Sequence, residues 1–258
     1  MKALLPLLSL SFAFTLNSPG ALKEGQTKPG SSAPTNPPPA PTARPEKATP
    51  DAVTSLGDWG TAVNPNGDCK FSKKDDELVV TVPGASGPHD LAAEIHTTNA
   101  PRVVQPIKGD FTIEVKVDGR FLPGGESTLP GRAGYNGAGL VIMVDPENVL
   151  CLARAAFQHG DGPNVPYANF EIRVNGEVER IGDSTDVPLP KEGPVYLRLQ
   201  RKGRQVLGAV SLDGEKWKDL EPKELPASWP EELKVGVVGI STSVEDFAPK
   251  FSKLKIAK

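Results

Sequence analysis

The apolar positions of this chain fall in short runs, and the clearest lie between Gly137 and Ala155. Leu140–Val144 and Val149–Leu152 flank Asp145-Pro146-Glu147-Asn148. Pro146 presets φ for the second position of a turn, and Asp145 and Asn148 are good turn formers. Each run is too short for a helix and rich in Val, Ile and Leu, which predicts a β-hairpin. Neither run alternates cleanly between apolar and polar residues. The hairpin is therefore expected at the centre of a sheet covered on both faces, with later strands pairing outward from it.

Cleaner alternation appears elsewhere. Glu77–Val82 is the first clear strand, ended by Pro83-Gly84. In Asp110–Val117, Phe111, Ile113, Val115 and Val117 share one face, while Thr112, Glu114 and Lys116 share the other. Phe170, Ile172 and Val174 alternate with Glu171 and Arg173, and Asn175-Gly176 predicts a type I′ turn into Glu177–Ile181. Val195, Leu197 and Leu199 alternate with Tyr196, Arg198 and Gln200, and Lys202-Gly203 turns the chain into Gln205–Ser211. Leu233–Ser241 and Phe251–Ile256 follow, and only Pro230–Leu233 suggests a helical turn. Half-buried strands joined by short polar turns predict an all-β sandwich of two antiparallel sheets. Three longer loops, Gly84–Gln105, Leu122–Gly137 and Gln158–Asn169, stand where loops of that length usually carry function. No fixed repeat points to a solenoid or propeller.

The first fifty residues change the picture. Lys2 precedes a stretch from Ala3 to Leu16 rich in Leu, Phe and Ala, with small residues at Ser18, Gly20 and Ala21. A basic residue before an apolar core of roughly 7–15 residues is the layout of a secretory signal peptide; a buried N-terminal segment is the alternative. Residues 22–50 are dense in Pro, Ser, Thr, Ala and Gly, including Pro37-Pro38-Pro39, and cannot bury enough apolar surface to offset their ordering entropy. They read as a Pro-rich disordered linker, either a spacer from an envelope surface or a non-specific leader. The 258-residue chain thus divides into a signal peptide at 1–21, the linker at 22–50 and a folded domain at 51–258. A secreted or periplasmic location follows. No other run approaches the ~18–20 apolar residues of a membrane span. With 29 basic against 32 acidic residues, a net charge of −3, there is no electrostatic case for nucleic acid. The two cysteines, Cys69 and Cys151, are expected as buried free thiols: one follows a turn and the other lies in a central strand.

Motifs for chemistry are sparse. Ser211-Leu212-Asp213-Gly214-Glu215-Lys216-Trp217 resembles a sialidase Asp box, but it lacks one residue between Asp and Gly and occurs once, so it reads as a structural turn. Asn64–Asp68 offers oxygen ligands that suit Ca²⁺, but Asn in place of Asp removes charge, and an Asx-type turn is the simpler reading. His89, His96 and His159 match no zinc spacing. His89, Asp90, His159 and Asp161 in two loops, with Arg102, form a polar cluster at a sheet edge or else fix their loops by hydrogen bonds. Glu114, Lys116, Arg154, Glu171, Arg173 and Arg198 fall on strands. They build a polar groove if they share one face, and cross-strand ion pairs otherwise. No paired-carboxylate strand, nucleophile elbow, P-loop or dinucleotide fingerprint appears, so an enzyme is not expected.

Several motifs in order carry a resemblance. They are Asn64-Pro65-Asn66-Gly67-Asp68-Cys69, Val82-Pro83-Gly84, His89-Asp90-Leu91, Asn99-Ala100-Pro101-Arg102, Gly109-Asp110-Phe111, Ala138-Gly139-Leu140, Tyr196-Leu197-Arg198, the Ser211–Trp217 turn, and Val235-Gly236-Val237 leading to Phe251. This series, from about Asp58 to Ile256, resembles a bacterial family of concanavalin A-like lectin/glucanase domains of unknown function, sometimes labelled as regulators of enolase. The resemblance implies a jelly-roll sandwich with a concave and a convex sheet. An exported domain would not meet a cytosolic enzyme, so the enolase label sets no expectation. The chain departs from the family pattern at Asn64 and Asn66, where acidic residues are frequent, and at Cys151 and Ala153, where charged residues are usual.

The functional expectation is a secreted, non-catalytic recognition domain for carbohydrate, such as a cell-envelope polysaccharide. The alternatives are a glycoside hydrolase or lyase with an atypical acid pair, and a structural envelope protein. Aromatic faces and planar polar groups hold sugars, which singles out Tyr135 and Tyr167 beside Arg132, His159 and Asp161, continuing onto Arg154, Glu171 and Arg173. No cofactor or metal is implied, and a monomer is expected.

Overall fold

The computed structural model describes residues 54–180 and 187–258. The signal peptide and linker read at 1–21 and 22–50, and the end of the strand expected at Glu177–Ile181, lie outside the described residues. Those residues form strands and three single 3-10 turns, Gly57–Trp59, Gly84–Ser86 and Ala93–Ile95. The strands are β1 (Thr54–Ser55), β2 (Thr61–Val63), β3 (Lys70–Lys74), β4 (Glu77–Thr81), β5 (Arg102–Lys108), β6 (Phe111–Asp118), β7 (Gly134–Asp145) and β8 (Asn148–Gln158). Then come β9 (Val165–Val174), β10 (Glu177–Arg180), β11 (Val195–Lys202), β12 (Gln205–Ser211), β13 (Lys218–Asp219), β14 (Lys223–Glu224), β15 (Glu232–Ser241) and β16 (Lys250–Ala257). The helical turn expected at Pro230–Leu233 is not formed, because Glu232 and Leu233 already pair with Lys108 and Ile107 in the ladder.

One sheet runs β1-β2-β5-β15-β7-β8-β9-β10, and the other runs β13-β12-β11-β6-β16-β4-β3 with β14 on β12. Every pairing is antiparallel. The whole is a concanavalin A-like jelly-roll sandwich. The central hairpin is β7–β8, with β9 outward on one side and β15 on the other, as the apolar runs predict. Its turn is set by Asp145, whose Oδ1 accepts from the Glu147 and Asn148 amides at 2.8 and 2.9 Å. At the next turn Asn175 and Gly176 have φ of 52° and 81°, the left-handed pair a type I′ turn requires. Among the described residues no helix is long and apolar enough to cross a membrane.

Two apolar clusters follow from strand parity. Leu140, Ile142, Leu150, Leu152, Phe170 and Ile172 face the second sheet and meet Ile113, Val115, Leu197 and Phe251. Val141, Met143, Val149, Cys151 and Ala153 face the other way, with Val238 and Ile240, and are covered by Leu91 and Ala100. The cover is the segment 83–101, which lies across this outer face as a strap. His89 exchanges backbone hydrogen bonds with Ser241 on β15, Glu94 pairs with Arg173 on β9, and the Pro101 carbonyl accepts from Gly239.

Both cysteines are free and buried, Cys69 in the inter-sheet cluster and Cys151 under the strap. They occupy different clusters, so no disulfide joins them. Burial, reinforced by the Asp68 carboxylate, pushes the Cys69 thiol up to about 12, and burial raises Cys151 as well. Titration of the denatured, unreduced chain should find both thiols, and the native chain should alkylate far more slowly at pH 8. An absence of thiol after denaturation would contradict this arrangement. The backbone is equally tight at Gly139, where a Cβ would overlap the Leu152 carbonyl oxygen. Gly139→Ala should lower the melting temperature by several degrees, as expected for an overpacking cost of ~1–3 kcal/mol, and an unchanged melting curve would refute that contact.

Candidate functional site

The strap stops short of one end of the sheet. There a cavity of about 400 Å³ opens between strap, sheet and the loop before β7. Its floor and walls are Tyr135 on β7, Phe157 on β8, Tyr167, Asn169, Glu171 and Arg173 on β9, and Ile240 and Thr242 at the end of β15. Asp90, Ala92, Glu94 and Ile95 of the strap close one side, and Leu129, Arg132 and Ala133 the other. The β9 residues share the face by parity: Tyr167 pairs with Ala155, Asn169 with Ala153, Glu171 with Cys151 and Arg173 with Val149. Cys151 and Ala153 are the lateral neighbours of Glu171 and Asn169 on β8 and belong to the apolar cluster that adjoins them.

The cavity's electrostatics centre on Arg173, only 6% exposed. It donates to Glu171 and, at 3.2 Å, to Glu94 Oε1, while its Nε has no partner among the described residues. Burial alone would lower the guanidinium, but the two carboxylates outweigh it and hold it above its ordinary value. Burial pushes the Asp90 carboxyl up to about 7, with Arg173 opposing and Glu171 adding to the shift. The Tyr135 hydroxyl is raised by burial and by its neighbours Tyr167 and Glu171, and it accepts from Asn169 Nδ2 at 3.5 Å. Tyr167 meets Phe157 edge to face, with ring centroids 5.9 Å apart. Arg132 is exposed at the mouth, and its charge acts on Glu94.

The structure brings together Tyr135, Tyr167, Arg132, Glu171 and Arg173 of the residues read from the sequence. Three others are elsewhere. Arg154 pairs laterally with Ala168 and Ala138, so alternation turns it to the opposite face. There, fully buried, it donates to the carbonyls of Gly193 at 2.6 Å and Lys191 at 3.2 Å, and lies 4.3 Å from the Phe121 ring centroid. Its role is to fix the segment before β11. His159 and Asp161 sit exposed in a turn closed by Gly162 N to the His159 carbonyl, and Gly160 N bonds Gly125. That pairing holds the turn against the neighbouring loop, away from the cavity. Arg102 donates to the Ala100 carbonyl and joins no histidine cluster. The strand charges divide as well. Arg198 lies on the other sheet, 3.8 Å from Glu114 and stacked 4.2 Å over Trp217, an ordinary surface ladder. The Ser211–Trp217 segment is a turn in which Asp213 Oδ1 accepts from the Glu215 and Lys216 amides at 2.8 Å.

Glu94, Phe157 and Asn169 are polar or aromatic cavity residues that the sequence does not single out, and Asp90, expected in a polar loop cluster with His89, His159, Asp161 and Arg102, lines the cavity without them. Asn169 was within reach, since the alternation of β9 extends back through it to Tyr167, but Pro166 hides the strand's start. Glu94 had no local signal, because only the strap's path brings it to Arg173.

The sequence matches no protein-family model and no curated protein. Its fold is found in solved structures. A functionally unknown protein from Saccharomyces cerevisiae aligns with a TM-score of 0.55 at 15% identity, covering 79% of this chain and 98% of that one. The GH43 protein BlXynB from Bacillus licheniformis aligns at 0.51 and 15% identity over 72% of this chain. Xylan beta-1,4-xylosidase from Bacillus halodurans C-125 aligns at 0.51 and 16% over 74%. In both Bacillus proteins the match covers 34% of the longer chain. These likenesses establish the fold.

The Asp90 shift has a consequence for stability. An unfolded aspartate titrates near ~3.9, so between pH 4 and 7 the native chain binds more protons than the unfolded one. Stability from this group therefore falls as pH rises through that window. The difference from about 7 corresponds to at most ~4 kcal/mol, reduced by whatever solvent reaches the carboxyl. Asp90→Asn should raise the urea midpoint at pH 8 and leave it nearly unchanged at pH 4. An equal effect at both values, or destabilisation at pH 8, would contradict the shift.

Proposed function

We propose that this chain is an exported recognition module that binds carbohydrate in the outer-face cavity without cleaving it, and that it belongs to the concanavalin A-like family its motifs resemble. The observation that carries the reading is the Arg173 Nε, a buried donor without a partner among the described residues, in a cavity walled by Tyr135, Phe157 and Tyr167. An orphan donor costs ~1–3 kcal/mol, more when charged, unless a ligand oxygen takes it. Aromatic faces beside planar amide and guanidinium donors are what sugar rings use. The volume lies within the ~300–1,000 Å³ typical of small-ligand sites. On this reading residues 1–21 direct export and 22–50 hold the domain off a surface.

A second reading rests on a different observation. Asp90, protonated near neutrality, shares the cavity with Glu171. One carboxyl pushed up beside another is the pattern of acid and base pairs in glycan cleavage. The Arg173 contact favours binding alone, because it engages Glu171 directly.

A glycan array, with xylan fragments included because part of a xylosidase shares the fold, should identify a ligand that raises the melting temperature. At a hundred times Kd the stabilisation is ~2.7 kcal/mol. Asn169→Ala should weaken binding about tenfold or more, the loss of one to two hydrogen bonds, with melting unchanged in the absence of glycan. Arg173 is unsuited to that test, since its removal strands Glu171 in the interior. Equal affinity in the Asn169 variant would move the site elsewhere, and release of new reducing ends or unsaturated products would replace recognition by catalysis.

A further inference from the structure

A second constellation lies where the strap meets the segment Asn64–Cys69, outside the cavity lining. Asp68, Cys69 and His89 offer a carboxylate oxygen, a thiol sulfur and an imidazole nitrogen, all within 4.8 Å of one another. Nε2 of His89 is 3.0 and 3.1 Å from the two Asp68 oxygens, and Cys69 Sγ is 3.5 Å from Asp68 Oδ1. The other ring nitrogen, Nδ1, is 3.1 Å from the Gly87 carbonyl. Both nitrogens therefore face oxygen acceptors. A neutral imidazole donates to only one of them, so the Nε2 position calls for a second proton or a metal ion. An imidazole whose Nδ1–H is held by a backbone carbonyl while Nε2 faces anionic donors is the arrangement found around metal-binding histidines.

The donors are also held in place before any ion arrives. Asn64 clamps the backbone of Cys69 from both sides, its Oδ1 accepting from the Cys69 amide at 3.3 Å and its Nδ2 donating to the Cys69 carbonyl at 2.8 Å. The His89 backbone exchanges two hydrogen bonds with Ser241, at 2.8 and 2.9 Å. The side chain of His89 is 1% exposed and that of Asp68 25%, so the carboxylate faces the route from solvent.

We propose that Asp68, Cys69 and His89 form a divalent metal site that takes Zn²⁺. Mixed nitrogen, sulfur and oxygen donors suit zinc, whereas Ca²⁺ and Mg²⁺ require oxygen throughout. Three protein ligands leave a fourth tetrahedral position for water. Binding takes the thiolate form of Cys69 and the lone pair of Nε2, so the Sγ proton is released to solvent. The ion would tie the turn at Asn64–Cys69 to the strap, whose next residue, Asp90, lines the cavity. The inference does not depend on what that cavity binds.

The test uses the full chain, treated with chelator and dialysed. Zn²⁺ added alone should bind one ion per chain by calorimetry, with a dissociation constant of micromolar or below. Co²⁺ in its place should produce intense visible bands of a tetrahedral site and a thiolate-to-cobalt band in the near ultraviolet. Cys69→Ser should abolish the thiolate band, and Asp68→Asn should weaken Zn²⁺ at least about tenfold. Cys151→Ser should change neither. The unsubstituted chain decides the matter even if a variant fails to fold. No one-to-one zinc binding, a cobalt complex without the thiolate band, or a band lost with Cys151 rather than Cys69 would each overturn the proposal.

Discussion

The structure depends on covering an apolar hairpin on both sides. The β7–β8 pair carries Leu140, Ile142, Leu150 and Leu152 on one face and Val141, Met143, Val149 and Cys151 on the other. A sheet so patterned cannot leave either face in water, since each buried aliphatic side chain is worth ~1.5–3 kcal/mol. The second sheet covers the first face. For the other the chain uses the strap, with Leu91 and Ala100 seated on the apolar patch. A strap is narrower than a sheet, and where it stops the face turns polar and aromatic. The cavity is the part of that face left uncovered.

Arg154 and Arg173 show how little an arginine's type says about its role. Both are almost fully buried, and each leaves its Nε unpartnered among the described residues. One donates to carbonyls and stacks on Phe121, and the other donates to two carboxylates at a cavity wall. Neutral carbonyls cannot offset the charge, so burial lowers the Arg154 guanidinium, while two carboxylates raise that of Arg173. Which role each plays is decided by whether its position on the strand is even or odd.

That parity also explains what was legible in the sequence. The central hairpin, the strand pairs around Asn175-Gly176 and Lys202-Gly203, and the two-sheet class follow from short-range patterns, and the structure has them. Tyr135 and Tyr167 stand out as aromatic residues of two expected loops, whose ends the structure instead gives to β7 and β9, and Glu171 and Arg173 as the polar positions of an alternating strand. Arg154 was misplaced because β8 is apolar on both faces, so its sequence offers no alternation from which to read its face. His159 and Asp161 were misplaced because a loop's direction is set by tertiary contacts, here Gly160 on Gly125. Glu94 and Asp90 reach the cavity through the strap's path, and the nearness of Asp68, Cys69 and His89 arises from the same long-range folding.

Because core and cavity are written in alternate letters on β9, they cannot be edited separately by insertion or deletion there. A slip of one residue would carry Phe170 and Ile172 to the cavity face and Glu171 and Arg173 into the inter-sheet core. The strap and the loop before β7 have no such parity. Lineages sharing this fold can change the length of those two segments between the points that tie them to the sheet, such as His89, Glu94 and Pro101 in the strap. Diversity in the shape of the cavity is therefore expected in indels at the rim, over a floor that changes only by substitution.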